Sequence, residues 1–228
     1  FKTMPGIYEL LDGRVSVNRL REVDITDLLR REPASINENE VSDTIRGKKV
    51  MITGAGGSIG KELCRQVARW DPKVLYLMGH GENSIFESIL ELKASFPHIP
   101  LVPVIADMRD RHRLENVFAE HKPDIVFHAA AHKYVDIMEQ NPQEAVRNNC
   151  LGTVTVLEAS KHAGVKQFVC ISTDKAVHPV SVMGATKRIA EMVTLAYNNG
   201  MRTCCVRFGN VIGSRGSVIP LFYKQIAK

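Results

Sequence analysis

The stretch Ser172-Thr173-Asp174-Lys175, followed by Met183-Gly184-Ala185-Thr186-Lys187, puts an acid, an amine and a second cation within a short length of chain. The run just before it, Gln167-Phe168-Val169-Cys170-Ile171, is short, apolar and β-rich, so it reads as a buried parallel strand. Asp174 and Lys175 then follow a strand's carboxyl end, where open α/β sheets carry their chemistry. From Val182 to Tyr197 the spacing predicts a helix with Met183, Ile189, Ala190, Val193 and Ala196 facing inward. One turn separates Met183 from Lys187, so both lie on one side of it. Taken alone, Asp174-Lys175 also fits a solvated turn with Asp174 as a cap. Its register with Lys187 and with a glycine loop upstream is what favours catalysis.

That loop is Gly54-Ala55-Gly56-Gly57-Ser58-Ile59-Gly60, set between the β-rich run Lys49–Thr53 and an expected helix from Lys61 to Trp70. Glycines are needed where the turn is tight, where the backbone approaches a pyrophosphate and where helix packs on strand; the helix N-terminus then faces the negative charge. Dinucleotide binding is the expectation, with Gly54, Gly57, Ser58, Ile59 and Gly60 as contacts. A second strand, Val74–Met78, leads to Gly79-His80-Gly81-Glu82-Asn83-Ser84. An acid near this strand end suits the ribose of NAD, and a basic residue suits the 2′-phosphate of NADP. Glu82 tips the expectation to NAD, while His80 is the residue able to reverse it. Glu82, Asn83 and Ser84 equally fit the cap of a helix from Ile85 to Phe96.

The third strand, Leu101–Ala106, ends at Asp107-Met108-Arg109-Asp110, where either aspartate fits as the cap of a helix from Arg111 to His121. A fourth strand, Asp124–His128, runs into Ala129-Ala130-Ala131, whose small side chains let a cofactor lie against the backbone; His128 is given no chemistry. Next come His132-Lys133-Tyr134-Val135-Asp136 and a helix from Pro142 to His162, then a sixth strand and loop over Arg202–Gly213. Alternating strands and helices without hairpin signals predict an α/β fold with a doubly wound parallel sheet, in the order 3-2-1-4-5-6.

Ser-Thr-Asp-Lys-Ala-Val ahead of Met-Gly-Ala-Thr-Lys-Arg resembles the extended short-chain dehydrogenase/reductases, and within them the nucleotide-sugar 4,6-dehydratases of bacterial polysaccharide synthesis. In particular it is similar to their long, membrane-anchored form, in which Met replaces the catalytic Tyr, here at Met183. The resemblance implies NAD(P)-dependent dehydration of a UDP-N-acetylhexosamine, UDP-N-acetylglucosamine first, with retention at carbon 5. It makes Asp174 the acid and Lys175 the base, both protonation states being reached through burial; Thr173 bonds the 4-oxygen and Lys187 the nicotinamide ribose. Since a thioether is no base, Asp174 or a water would take the 4-hydroxyl proton. Asp107 and Met108 would meet the adenine, Ala129 and Ala130 the cofactor, and Lys133, Asn210 and Arg215 the sugar nucleotide. Arg215 also fits a solvated loop. Tyr134 and Asp136 stand where the family commonly has His and Pro. A buried Asn supporting the site would be Asn148 or Asn149, the other lying on the surface. A 4-epimerase, which normally relies on the missing Tyr, and a non-catalytic dinucleotide-binding module are the alternatives.

With 228 residues, 44% hydrophobic and 24% charged, the chain has enough apolar material for one sizeable core. Its formal net charge of +5 suits an anionic ligand such as a sugar nucleotide and equally an ordinary basic surface. No basic run carries interleaved aromatics, so nucleic acid is not an expected partner. The five cysteines show no metal-site or disulfide spacing and read as buried thiols. No apolar run reaches the ~20 residues of a membrane span. Residues 1–46 read as a connector and docking arm, with Asp24 capping a short helix through Leu29, and residues 47–228 as the cofactor-binding catalytic domain. Beginning at Phe1 and ending at Lys228 within an expected helix, the chain reads as a piece of a longer protein lacking most of its substrate lobe. By resemblance the parent is anchored on the cytoplasmic face of the inner membrane, and a homo-oligomer is expected.

Overall fold

A computed structural model describes residues 2–3, 21–22 and 37–211, and the chain divides into two units, Phe1–Asn37 and Glu38–Lys228. In the first, Lys2–Thr3 pairs antiparallel with Arg21–Glu22. The expected helix at Asp24, the loop from Ser214 and Arg215 lie outside the described residues.

The second unit holds a six-stranded parallel sheet: β1 Lys49–Thr53, β2 Val74–Gly79, β3 Leu101–Ile105, β4 Ile125–His128, β5 Gln167–Thr173 and β6 Arg202–Phe208. Their order is β3-β2-β1-β4-β5-β6, the doubly wound arrangement expected from the sequence. The central strands are apolar throughout because side chains alternate between two covered faces. Val50 and Ile52 of β1 go to a core with Leu75, Leu77, Cys64, Val67, Ile85 and Leu92. Met51, between them, goes to the opposite core with Met78, Leu114, Phe118, Val126, Leu157 and Phe168.

The first core is covered by α1 Glu38–Ile45, α2 Ser58–Ala68 and α3 Glu82–Ser95. Helix α1 forms within the stretch read as connector, and its Ile45 is buried in that core. The second core is covered by α4 Arg111–His121, α7 Thr153–His162 and α8 Val182–Ala196. Asp110 caps α4 by accepting from the Arg113 amide at 2.9 Å, and Lys122 ends it in the left-handed conformation.

Two stretches differ from the sequence reading. Residues 135–140, given no helix in the sequence reading, form α5 Val135–Gln140, because Met138 finds a small apolar cluster with Ala145 and Met183. The single helix expected from Pro142 to His162 is instead α6 Pro142–Ala145, a π-helical turn Val146–Gly152 and then α7. Among the described residues no helix is long and apolar enough to cross a membrane, and no cluster of His, Cys, Asp or Glu is arranged to hold a metal ion.

Candidate functional site

The residues singled out by sequence lie at or beyond the carboxyl ends of the six strands or in the first turns of α2 and α8, with Arg215 outside the described residues. Gly54 leaves β1 with φ +69°, a conformation that favours glycine, and a Cβ there would stand 2.7 Å from the Ala130 amide nitrogen. At Gly60 a Cβ would overlap the Gly54 carbonyl, so α2 starts hard against the loop. Gly57 is the N-cap and supplies no side-chain acceptor, leaving the first turn of α2, Ser58 and Ile59 included, with its positive end toward the crevice. Ala129 and Ala130 come alongside through their amides, 3.1 Å from the Thr53 carbonyl and 3.4 Å from its hydroxyl.

Beyond β2, Gly81 is the N-cap of α3, so Glu82 stands exposed in the first turn rather than capping. Asp107 does not cap α4 either, since Asp110 does. Its carboxylate is gripped by Arg109, through the amide and Nε at 2.9 Å and Nη2 at 2.6 Å, and Arg109 also reaches Glu144 at 2.6 Å. The Arg109 guanidinium holds Asp107 below the usual carboxylate range, with a smaller contribution from nearby His80. Met108 is buried and packs against Gly152 of the π-turn.

Asp174–Ala176 forms one 3₁₀ turn directly after β5. Lys175 Nζ donates to Asp174 Oδ1 at 3.1 Å and to Asn210 Oδ1, beyond β6, at 3.3 Å; the Thr173 hydroxyl donates to the same Asp174 oxygen at 2.9 Å. That hydroxyl and the Lys175 ammonium hold the Asp174 carboxyl below its ordinary pKa, so it is ionised near neutrality. The sequence reading had burial favouring a protonated Asp174. Its side chain is instead 56% exposed and ion-paired, which favours the opposite state.

Lys187 is buried at 6% exposure, with Nζ donating to the Ile171 carbonyl at 2.6 Å, and it forms no ion pair among the described residues. Met183, one turn earlier on α8, is buried against Met138 and Ala145. Of the expected inward face of α8, Ile189 and Ala196 are exposed, while Thr186, Lys187, Glu191 and Thr194 are buried. The helix faces strand ends rich in polar partners, so a polar stripe replaces the apolar one. Lys133 is exposed, its ammonium 5.2 Å from the Tyr134 ring.

Two networks were not anticipated. Glu191, 1% exposed, accepts from the Ser172 hydroxyl at 2.6 Å, Arg207 Nε and Nη2 at 2.8 and 2.7 Å, and Arg188 at 3.1 Å. Burial alone would raise its pKa, but Arg207, Ser172 and Arg188 overcome this and hold it to about 2. The signal was present: Met183, Lys187 and Glu191 are spaced one turn apart. In the second network, fully buried His128 bridges the hydroxyls of Thr53 and Thr153 at 2.7 and 3.0 Å, and burial, helped by Lys187, pushes its pKa down to about 3. Asn149 accepts from the His132 amide at 2.8 Å and donates to the His132 carbonyl and Thr186 hydroxyl at 3.1 and 3.0 Å. Asn148 was expected on the surface if Asn149 was inside, yet both are buried, Asn148 donating to Asn149 at 3.1 Å. The π-turn makes room for this pair to face inward.

A helix N-terminus, a glycine loop closed against alanines, and a buried lysine with no carboxylate partner among the described residues together fit a dinucleotide's pyrophosphate and ribose. Residues 50–228 match the family described as polysaccharide biosynthesis protein. The chain is 52% identical to the capsular polysaccharide biosynthesis protein CapD of Staphylococcus aureus, over 98% of this chain and 38% of that protein. It is 37% identical to a UDP-N-acetylglucosamine 4,6-dehydratase (inverting) of Campylobacter jejuni, over 80% of this chain and 54% of that one. The chain therefore spans well under two thirds of these relatives. Among solved structures, Pen from Bacillus thuringiensis superposes with a TM-score of 0.73 at 36% identity, covering 81% of this chain and 57% of that one. DesIV, a dTDP-glucose 4,6-dehydratase of Streptomyces venezuelae with NAD bound, gives a TM-score of 0.69 at 22% identity over 78% and 62% of the chains, a likeness of fold.

Proposed function

The chain belongs to the polysaccharide biosynthesis protein family, and from that premise we propose that its site performs NAD-dependent 4,6-dehydration of a UDP-N-acetylhexosamine, UDP-N-acetylglucosamine first. The observation that carries the proposal is the Asp174-Lys175 pair held with Thr173 and Asn210 at the end of β5. A simple oxidation needs no such pair, whereas elimination of water needs an acid and a base side by side.

The α2 N-terminus and Lys187 would hold a dinucleotide, which would supply the acceptor for hydride from carbon 4 and the donor of hydride to carbon 6. Lys187 orients the ribose and supplies positive charge. Thr173 donates its hydroxyl to the 4-oxygen. Asp174, ionised at the start, takes the 4-hydroxyl proton that Met183 cannot take. It thereby becomes the acid that protonates the departing 6-hydroxyl. Once Asp174 is protonated and its ion pair is lost, the Lys175 ammonium releases a proton to water; the amine then removes the proton made acidic by the 4-keto group and, after exchanging with solvent, delivers a proton to carbon 5 from the same side, which gives retention. One proton thus passes from the 4-hydroxyl through Asp174 into the departing water, and the carbon 5 proton is exchanged with solvent at Lys175. Lys133 and Asn210, with Arg215, contact the sugar nucleotide. Residues 1–46 connect this domain to a membrane-anchored portion of the parent protein on its cytoplasmic side, and the parent works as a homo-oligomer.

The test is incubation of the full-length protein with UDP-N-acetylglucosamine in deuterated water, followed by NMR and mass spectrometry. A 4-keto-6-deoxy product with deuterium at carbon 5 is expected, its coupling constants reporting the stereochemistry. Epimer formed without loss of water would replace this reading by a 4-epimerase. Cofactor binding without turnover would leave a dinucleotide-binding module.

A further inference from the structure

At the end of the sheet opposite the candidate site, the strands begin in cations. Lys48 precedes β1, Lys73 precedes β2, Lys122 and Lys166 stand before β4 and β5, Arg202 opens β6, and Arg46 lies beside Lys48. Backbone bonds lace these positions into one rim: Lys73 amide to Lys48 carbonyl at 2.9 Å, Asp124 to Lys49 at 2.8 Å, Lys166 to Asp124 at 2.9 Å and Arg202 to Lys166 at 2.9 Å. At about 4.8 Å per strand the stripe from β2 to β6 is roughly 20 Å long. All six side chains belong to exposed residues, and none forms an ion pair with a described residue. The acids among them are engaged, Asp71 with His98 at 3.1 Å and Asp124 with the Lys49 amide at 2.9 Å. On the helix flanks some cations are paired, Arg65 with Glu62 and Arg111 with Glu115 and Glu158.

Helix dipoles account for Arg46 and Lys122, which follow the ends of α1 and α4. They do not account for Lys48, Lys73, Lys166 and Arg202, which begin strands. From this stripe we infer that the rim is a docking surface for an anionic lipid bilayer. A row of exposed cations, none of them paired with a described residue, matches a flat field of anionic headgroups, and each cation adds to attraction within a Debye length. Nucleic acid is the poorer match, because the rim offers no stacking platform: Trp70, the aromatic next to Lys73 in the chain, is packed against the core. Docked this way, the catalytic end of the sheet faces away from the bilayer, open to a water-soluble nucleotide sugar. The inference stands apart from the proposed reaction.

The test is sedimentation of this chain with phosphatidylcholine vesicles with and without phosphatidylglycerol. Binding is expected only with the anionic lipid and is expected to vanish in high salt. Neutralising the rim (Lys48→Gln, Lys166→Gln, Arg202→Gln) lowers partitioning on the order of 100-fold. The same charge removed from helix flanks (Arg65→Gln, Arg111→Gln, Arg113→Gln) changes it less than about threefold, with thermal melts confirming that both variants fold. Equal losses in the two variants, binding to neutral vesicles, salt-insensitive binding, no vesicle binding at all, or tighter binding to duplex DNA than to vesicles at equal salt would each overturn it.

Discussion

Glu191 shows how much of a site's order can rest on a residue that never meets the substrate. It holds Ser172, next to Thr173, and Arg207, three residues before Asn210, so a single carboxylate fixes the β5 and β6 ends relative to α8. Removing one partner of a buried, multiply bonded charge costs about 3–5 kcal/mol. Glu191→Ala is therefore expected to lower the melting temperature by roughly 10 °C, as calorimetry would show; a loss within the ordinary surface range of ~0.5 kcal/mol would mean the arginines hold nothing together. His128 gives a second prediction, in pH. Its pKa falls from 6.5 to about 3 on folding, so as acidity increases the unfolded chain takes up a proton that the native chain refuses. Stability from this group is complete above pH 6.5 and is lost progressively as pH falls toward 3, by up to about 1.4 kcal/mol per unit. Glu191 adds to the loss only below its unfolded value of 4.5. His128→Gln, which keeps a group able to bond both threonines, should flatten the upper part of that acid limb in urea midpoints measured across pH. An unchanged profile would show that His128 does not carry it.

Among the elements, helix α8 and the 3₁₀ turn Asp174–Ala176 meet at Gly184. A Cβ there would lie 2.5 Å from the Lys175 carbonyl oxygen and 3.1 Å from the Ser181 hydroxyl that caps the helix. Gly184→Ala must push helix and turn apart, and a displacement approaching 1 Å at reacting groups costs on the order of 100-fold in rate. The expected result is a fall in kcat much larger than the fall in stability, read by pairing turnover with thermal melts; wild-type turnover would show that the contact is soft. The strands and the α4 helix were legible because their signals are local: β-branched runs bounded by turns, and an aspartate at the cap. The break in the helix after Pro142 was not, because it comes from Asn149 bonding His132 and Thr186. Partners brought by the sheet cannot be seen in helical spacing. The same reason hid the polar face of α8, whose buried Lys187 and Glu191 are satisfied by β5 and β6.

For the whole molecule, the sheet order followed from alternation of strands and helices, and that order sets where a ligand crevice is expected. What the sequence left open was charge placement: a formal net charge of +5 says nothing of where it sits. Among the described residues, the fold gathers exposed cations without ion pairs at one end of the sheet and a buried one, Lys187, at the other. A dinucleotide entering the crevice would place its pyrophosphate at the α2 N-terminus and its ribose hydroxyls at Lys187, and a ligand that binds only the native state stabilises it by about 2.7 kcal/mol at one hundred times its Kd. The chain should therefore melt several degrees higher with saturating NAD, in a shift that Lys187→Met diminishes. NADP is expected to shift it less, since Glu82 stands in the first turn of α3 and no lysine or arginine precedes Lys93 beyond β2. A larger shift with NADP would make His80 the phosphate contact, and equal melting with and without either nucleotide would remove the crevice's assignment as a cofactor site.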